Sequence, residues 1–128
     1  MKKVVVIEDN EVIQKIFVRY LKDLGYDAPL IKYSENLIQE IIKEDPCCIL
    51  LDINLPTVSG VEICKILKNS GEKLLATPII LNSSFCSLIE REIAEQQSQC
   101  DLCITKPLTR KELEQALLLV KEKFLPNF

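Results

Sequence analysis

The 128-residue sequence predicts an α/β fold, a parallel sheet with helices on both faces. Three observations carry that prediction. Short apolar runs such as "VVVI" and "CCILL" have the length expected of strands buried on both faces. Between the strands lie segments whose apolar residues recur at helical spacing. The two kinds alternate strictly, and strands separated by helices cannot pair as hairpins, so they run parallel.

The elements follow in order. Residues 4–7, "VVVI", make the first strand and lead straight into Glu8 and Asp9. Residues 12–24 then put Ile13, Ile16, Phe17, Tyr20, Leu21 and Leu24 on one helix face, with Gly25 as the stop. "APLIKY" reads as a short second strand. Ser34 caps a second helix bearing Leu37, Ile38, Ile41 and Ile42, which ends before Pro46. "CCILL", the third strand, runs into Asp52. The loop "NLPTVSG" leads to a helix over roughly 60–69, and "TPIIL", the fourth strand, meets "NSS". A weaker helix is expected near 86–97. "DLCIT" is the fifth strand and reaches Lys106 and Pro107. The last helix, about 109–124, presents Leu113, Ala116, Leu117, Val120 and Phe124 on one face.

Composition narrows the function. The length suits one domain, 1–128, with a core that needs no disulfide or structural metal. No apolar run approaches the ~20 residues that span a bilayer. The start "MKKVVVIEDN" turns acidic too early for a secretory signal, so a cytoplasmic protein is expected. Sixteen Lys and Arg are scattered through a chain of formal net charge −3, which is no nucleic-acid footprint. With no histidine there is no His-based catalysis, and three separated glycines cannot build a Walker or dinucleotide loop. Six cysteines include "CDLC" at 100–103. An extended strand points positions i and i+3 to opposite faces, and no second pair or histidine completes a zinc site. Cys47, Cys48, Cys100 and Cys103 lie in runs that read as buried strands and are expected to be core residues.

The strand ends carry the chemistry. Carboxyl ends of parallel strands converge on one edge, where ligands bind. Here they deliver Glu8 and Asp9, Asp52, the run Asn82, Ser83 and Ser84, and Lys106. Acids also favour a helix start, which alone could explain Glu8 and Asp9. Capping does not explain polar residues at four strand ends. Clustered carboxylates repel unless a hard cation bridges them, and Mg²⁺ suits oxygen ligands while keeping waters for phosphate. A lysine and a hydroxyl beside them complete a set fit for phosphoryl transfer onto an aspartate.

In "VVVIEDN", "ILLDINLPTVSG", "PIILNSS" and "ITKP" the sequence resembles the receiver domains of bacterial response regulators, over essentially its whole length. The resemblance implies a doubly wound, flavodoxin-like five-stranded parallel sheet of order 2-1-3-4-5 with five helices. It implies Asp52 as phosphoacceptor and Glu8 and Asp9 as the acidic pair that holds Mg²⁺ with Asp52. The Asn54 backbone carbonyl would be a further metal ligand. Ser83 takes the place of the switch hydroxyl, with Ser84 as the alternative. Lys106 would pair with phosphate, Pro107 would follow a cis bond, and Gly60 would close the loop after Asp52. Asn54 and Phe85 hold the positions that govern water access to the phosphoryl group. The expected partners are a sensor histidine kinase or histidine phosphotransfer protein. A downstream protein or a second copy would meet the face of the fourth helix, fifth strand and fifth helix. The chain would catalyse only its own phosphorylation and dephosphorylation. It ends soon after the last helix, so a stand-alone receiver or one cut from a longer regulator is expected.

This chain departs from the family at three places. Cys103 stands where an aromatic is usual, Gln99-Cys100 replaces Gly-Ala, and Ser84 replaces Ala. Two other readings stay open: an interaction module that works without phosphate, and an aspartyl-phosphate phosphatase. The second lacks the neighbouring acid and substrate cap such enzymes need, since "INLP" follows Asp52.

Overall fold

The computed structural model describes residues 2–56, 58–83, 92, 96, 99–105 and 108–124. Ser84, Phe85, Lys106 and Pro107 lie outside the described residues. So does the helix expected near 86–97 except residues 92 and 96, both of which are helical.

Among the described residues four parallel strands form the sheet: β1 (Val4–Ile7), β2 (Cys48–Asp52), β3 (Ile79–Ser83) and β4 (Leu102–Thr105), in the order β1-β2-β3-β4. Among the described residues the helices with defined ends are α1 (Glu11–Asp23), α2 (Leu37–Glu44), α3 (Gly60–Lys68), a single turn α4 (Glu72–Leu75) and α5 (Arg110–Phe124). The turn α4 was not expected from the sequence.

The expected second strand is not a regular strand. Its segment meets β1 only at two isolated parallel bridges, Lys3 to Asp27 and Val6 to Leu30. The hydrogen bonds show why. The Asp27 N–H donates to Lys2 O, Val4 N–H to Asp27 O, Val6 N–H to Pro29 O and Ile31 N–H to Val6 O. The missing rung would run from residue 29 to the Val4 carbonyl, and Pro29 has no N–H to give. Proline in "DAPLI" therefore interrupts the ladder at its middle.

Strand alternation divides the core in two. Val5, Ile7, Ile49, Leu51, Ile79 and Leu81 pack with residues of α2 and α3, including Ile41, Ile63 and Leu67. Val4, Val6, Leu50 and Ile80 turn the other way, onto Phe17 and Leu21 of α1 and Leu113, Ala116, Leu117 and Val120 of α5. A sheet covered on both faces needs strands that are apolar at every position, which is what "VVVI" and "CCILL" supply. Ile16, placed on the α1 core face by its spacing, lies at the rim and is exposed.

The helix ends differ in one place from expectation. Gly25 adopts φ +92° after α1, a conformation open to glycine, and its N–H reaches Lys22 O. The N-cap of α2 is Asn36, not Ser34. Ser34 acts two residues earlier, its hydroxyl accepting from the Asn36 N–H at 3.2 Å. A serine can satisfy this turn locally instead of capping the helix itself.

A buried ion pair ties the far end of the sheet. Lys68 Nζ lies 2.8 Å from Asp101 Oδ2, with the two side chains 3% and 7% exposed. The same ammonium donates to Thr77 O at 2.7 Å and Leu75 O at 3.2 Å. Asp101 Oδ2 in turn accepts from the Ile79 N–H at 2.8 Å. α3, the start of β3 and the approach to β4 thus meet at one charge pair.

Candidate functional site

At the carboxyl edge of the sheet, the first question is whether Glu8 and Asp9 serve only to start α1. They do not cap it. Asn10 is the N-cap, its Oδ1 accepting from the Val12 N–H at 3.0 Å and the Ile13 N–H at 3.1 Å. Glu8 is instead buried, 3% exposed, with Oε2 accepting from the Asn10 N–H at 3.3 Å.

Glu8, Asp9 and Asp52 each offer a carboxylate oxygen, and those oxygens all lie within 4.8 Å of one another. Asp52 is 2% exposed at the end of β2, whereas Asp9 is exposed. Asp52 Oδ1 accepts from the Asn54 N–H at 2.9 Å, which fixes how the carboxylate is turned. Three hard anionic oxygens this close are unfavourable alone and are suited to a divalent cation that prefers oxygen, such as Mg²⁺. The residues present therefore fit such an ion. A cleft of about 250 Å³ opens beside Glu8 and Asp9, between Ile31–Tyr33 and Leu55–Pro56.

Ser83 ends β3 beside this group. Its hydroxyl donates to Asn54 Oδ1 at 3.3 Å, so the loop after Asp52 is tied to the neighbouring strand. The sequence placed both residues at the site but not this link between them. Asn82 was noted only as a strand-end residue. The structure buries it completely, in register with Asp52. Its signal was available: it continues the buried phase of Ile80 with a polar side chain. Of the expected site residues, Glu8, Asp9, Asp52, Asn54 and Ser83 are brought together, and Lys106 lies outside the described residues.

Gly60 has a demonstrable steric reason. A Cβ there would come 2.3 Å from the Asp52 carbonyl oxygen and 2.7 Å from the Ile53 Cα, while the Gly60 N–H donates to Ile53 O at 2.9 Å. The loop and the strand backbone touch at this point. Gly60→Ala is expected to cost about 1–3 kcal/mol, the usual range for forced overpacking. Urea denaturation measures it, and a midpoint equal to wild type would show that the loop gives way freely.

Among the described cysteines, Cys48, Cys64 and Cys103 are buried and Cys47 and Cys100 half-buried. Burial pushes the thiols of Cys47 and Cys48 up, the second well above its ordinary value, which disfavours the reactive thiolate. One expectation needs correction. Cys100 and Cys103 pack against the same core, on the α2–α3 side. Strand alternation does not separate them because β4 begins only at Leu102, after a turn in which Gln99 has φ +63°.

Comparison with known proteins agrees with this geometry. The response regulator receiver domain family matches residues 4–118. The polar-differentiation response regulator DivK of Brucella ovis is 32% identical over 108 residues, covering 84% of this chain and 86% of that protein. Among solved structures, the chemotaxis protein CheY4 of Vibrio cholerae superposes with a TM-score of 0.82 at 22% identity, covering 98% of this chain and 99% of its own. The beryllofluoride-activated N-terminal receiver domain of Klebsiella pneumoniae RstA gives 0.80 at 24% identity, covering 92% and 97%.

Proposed function

Because this chain belongs to the response regulator receiver domain family, we propose that Asp52 is the phosphoacceptor of a signalling switch. The observation that carries the reading is the acidic group itself: Asp52, buried and held by the Asn54 N–H, with carboxylate oxygens of Glu8 and Asp9 within 4.8 Å. Glu8, Asp9, Asp52 and the Asn54 carbonyl would hold Mg²⁺, which supplies charge neutralisation for the incoming phosphoryl group.

In the transfer step an Asp52 carboxylate oxygen attacks phosphorus. The bond from phosphorus to the donor's imidazole nitrogen breaks, and the imidazole leaves as the neutral ring after taking a proton. The product is a mixed anhydride on Asp52, and attack by water later returns the carboxylate and free phosphate. The donor is a sensor histidine kinase or histidine phosphotransfer protein, since this chain has no histidine of its own. Lys106 pairs with the phosphoryl oxygens as a point charge. Ser83 exchanges its Asn54 contact for one of those oxygens, which would couple phosphorylation to the end of β3. The chain acts only on itself, as one domain and in the cytoplasm.

One of the three departures from the family pattern bears directly on the readout. Cys103, where an aromatic is usual, is 1% exposed within the α2–α3 core. A small buried thiol cannot swing to the surface as a ring can. Output therefore passes through other residues of the last strand and helix. On α5, Leu118 and Leu119 are 54% and 59% exposed, outside the core stripe. Paired large apolar side chains of this kind suit a protein contact. Leu118→Glu and Leu119→Glu are expected to reduce self-association or partner binding about tenfold without changing phosphorylation. Unchanged binding by analytical ultracentrifugation and pull-down with the cognate target places the surface elsewhere.

The direct test of the switch is chemical. The protein is mixed with Mg²⁺ and a small phosphodonor such as acetyl phosphate, and intact-mass and peptide spectra are read for a labile phosphoryl on Asp52. A chain that takes none, or takes it elsewhere, overturns the reading.

A further inference from the structure

Asn82 is fully buried at 0% exposure, and neither Nδ2 nor Oδ1 meets a hydrogen-bond partner among the described residues. Buried amides in folded proteins are nearly always paired. An orphan amide next to a site calls for a group that the site takes up.

Sheet register says which group. Asp52 and Asn82 are partners in the β2–β3 ladder, and partners in a parallel ladder project from the same face. Leu50 and Ile80, two residues earlier, pair in the same way and both pack toward α1 and α5. Asn82 thus stands beside Asp52 on the inner side of the site. Its partner in the next strand is Ile104, whose side chain offers no polar atom. Ser83, one residue on and of opposite phase, is already engaged with Asn54.

We propose that Asn82 is a phosphoryl-binding residue. Its Nδ2–H donates, from the buried side, to an oxygen of the group carried by Asp52. The proposal rests on the reading of Asp52 as phosphoacceptor. An amide brings two donors and no charge, so it meets the anionic oxygens without adding to the crowding of carboxylates. Hydrogen bonds to ionised oxygens are among the stronger ones, and this one forms where no water competes. Nothing further is made or broken in the transfer itself.

The test uses beryllofluoride, a tetrahedral phosphoryl mimic, titrated calorimetrically with Mg²⁺ onto wild type, Asn82→Leu and Asn82→Val. The two substitutions remove the orphan amide and keep the strand apolar, so each is expected to melt at or above the wild-type temperature. Beryllofluoride affinity is expected to fall on the order of tenfold or more, the worth of one hydrogen bond to a charged group. Affinity for Mg²⁺ alone should stay within about twofold, since the amide is not a metal ligand. Wild type that fails to bind beryllofluoride overturns the reading of Asp52 and this proposal with it. Wild type that binds, with both variants equal to it, overturns the role of Asn82 alone. A parallel loss of Mg²⁺ binding in the variants shows a merely structural role and also overturns it.

Discussion

Asp52→Asn is expected to carry no phosphoryl group after exposure to Mg²⁺ and acetyl phosphate, under conditions that label wild type. The amide that replaces the carboxylate is neutral and far less nucleophilic, so the acyl phosphate has nothing to form on. The same change removes one of three anionic oxygens clustered within 4.8 Å. A divalent ion should bind on the order of tenfold more weakly, because unit charges a few ångströms apart near a protein surface attract by several kcal/mol. Stability without a divalent ion should move the other way. The buried Asp52 stands among like charges, and neutralising it relieves both repulsion and desolvation, worth roughly 1–2 kcal/mol. Intact-mass spectrometry, calorimetric Mg²⁺ titration and urea denaturation read the three effects. Loss of labelling in a chain that is at least as stable as wild type cannot be ascribed to unfolding. Normal labelling of the variant would remove Asp52 from its role.

The largest expected loss of stability lies at the opposite end of the sheet. Lys68→Met should cost about 3–5 kcal/mol, the usual penalty for removing one partner of a buried ion pair. All three donors of the ammonium are in use, on Asp101 Oδ2, Thr77 O and Leu75 O. Methionine fills the space of the stem but strands a buried carboxylate and two carbonyls. Lys123, 3.5 Å from Asp101 Oδ1 and itself exposed, compensates only in part. For a domain whose total stability is of order 5–15 kcal/mol, this is a large share. Asp101→Asn should cost less, because the amide oxygen can still accept from the Ile79 N–H that Oδ2 now receives. Urea midpoints with unchanged m-values decide it. A Lys68→Met loss below about 1 kcal/mol would mean that the pair is not dry enough to matter.

The two variants act at opposite ends of β3, and that geometry bears on the switch. Asp101 anchors the first residue of the strand through the Ile79 N–H, while Asn82 and Ser83 occupy its far end beside Asp52. A strand held firmly at one end can transmit a change at the other only through its side chains and the elements that follow it.

Much of this protein is legible in its sequence. Apolar runs too short for helices, separated by helical spacing, determine a parallel two-faced sheet, because period and length are local properties of the chain. Residues that follow such strands must gather at one edge, so Glu8, Asp9, Asp52, the run Asn82, Ser83 and Ser84, and Lys106 could be named from position, whereas Asn54, and Ser83 as the switch hydroxyl, came from the family resemblance. Gly60 was legible as a loop glycine. Its particular reason, a Cβ driven into the Asp52 carbonyl, depends on how closely the loop returns to β2.

What the tertiary structure decided are pairings between residues far apart in sequence. Pro29 reduces an expected strand to two bridges only because the missing N–H falls on the rung facing Val4. Lys68 and Asp101, 33 positions apart (101 minus 68), carry no local signal of their pairing, and only the fold buries them together. Asn54 and Ser83 meet across the loop, and Asn82, with Asp52 and Ile104 as its neighbours in register, has no hydrogen-bond partner among the described residues. Local pattern states which face a side chain takes. Only packing, which removes water from that face and fixes the partners, sets what a polar group there must bond to and what it costs when nothing does.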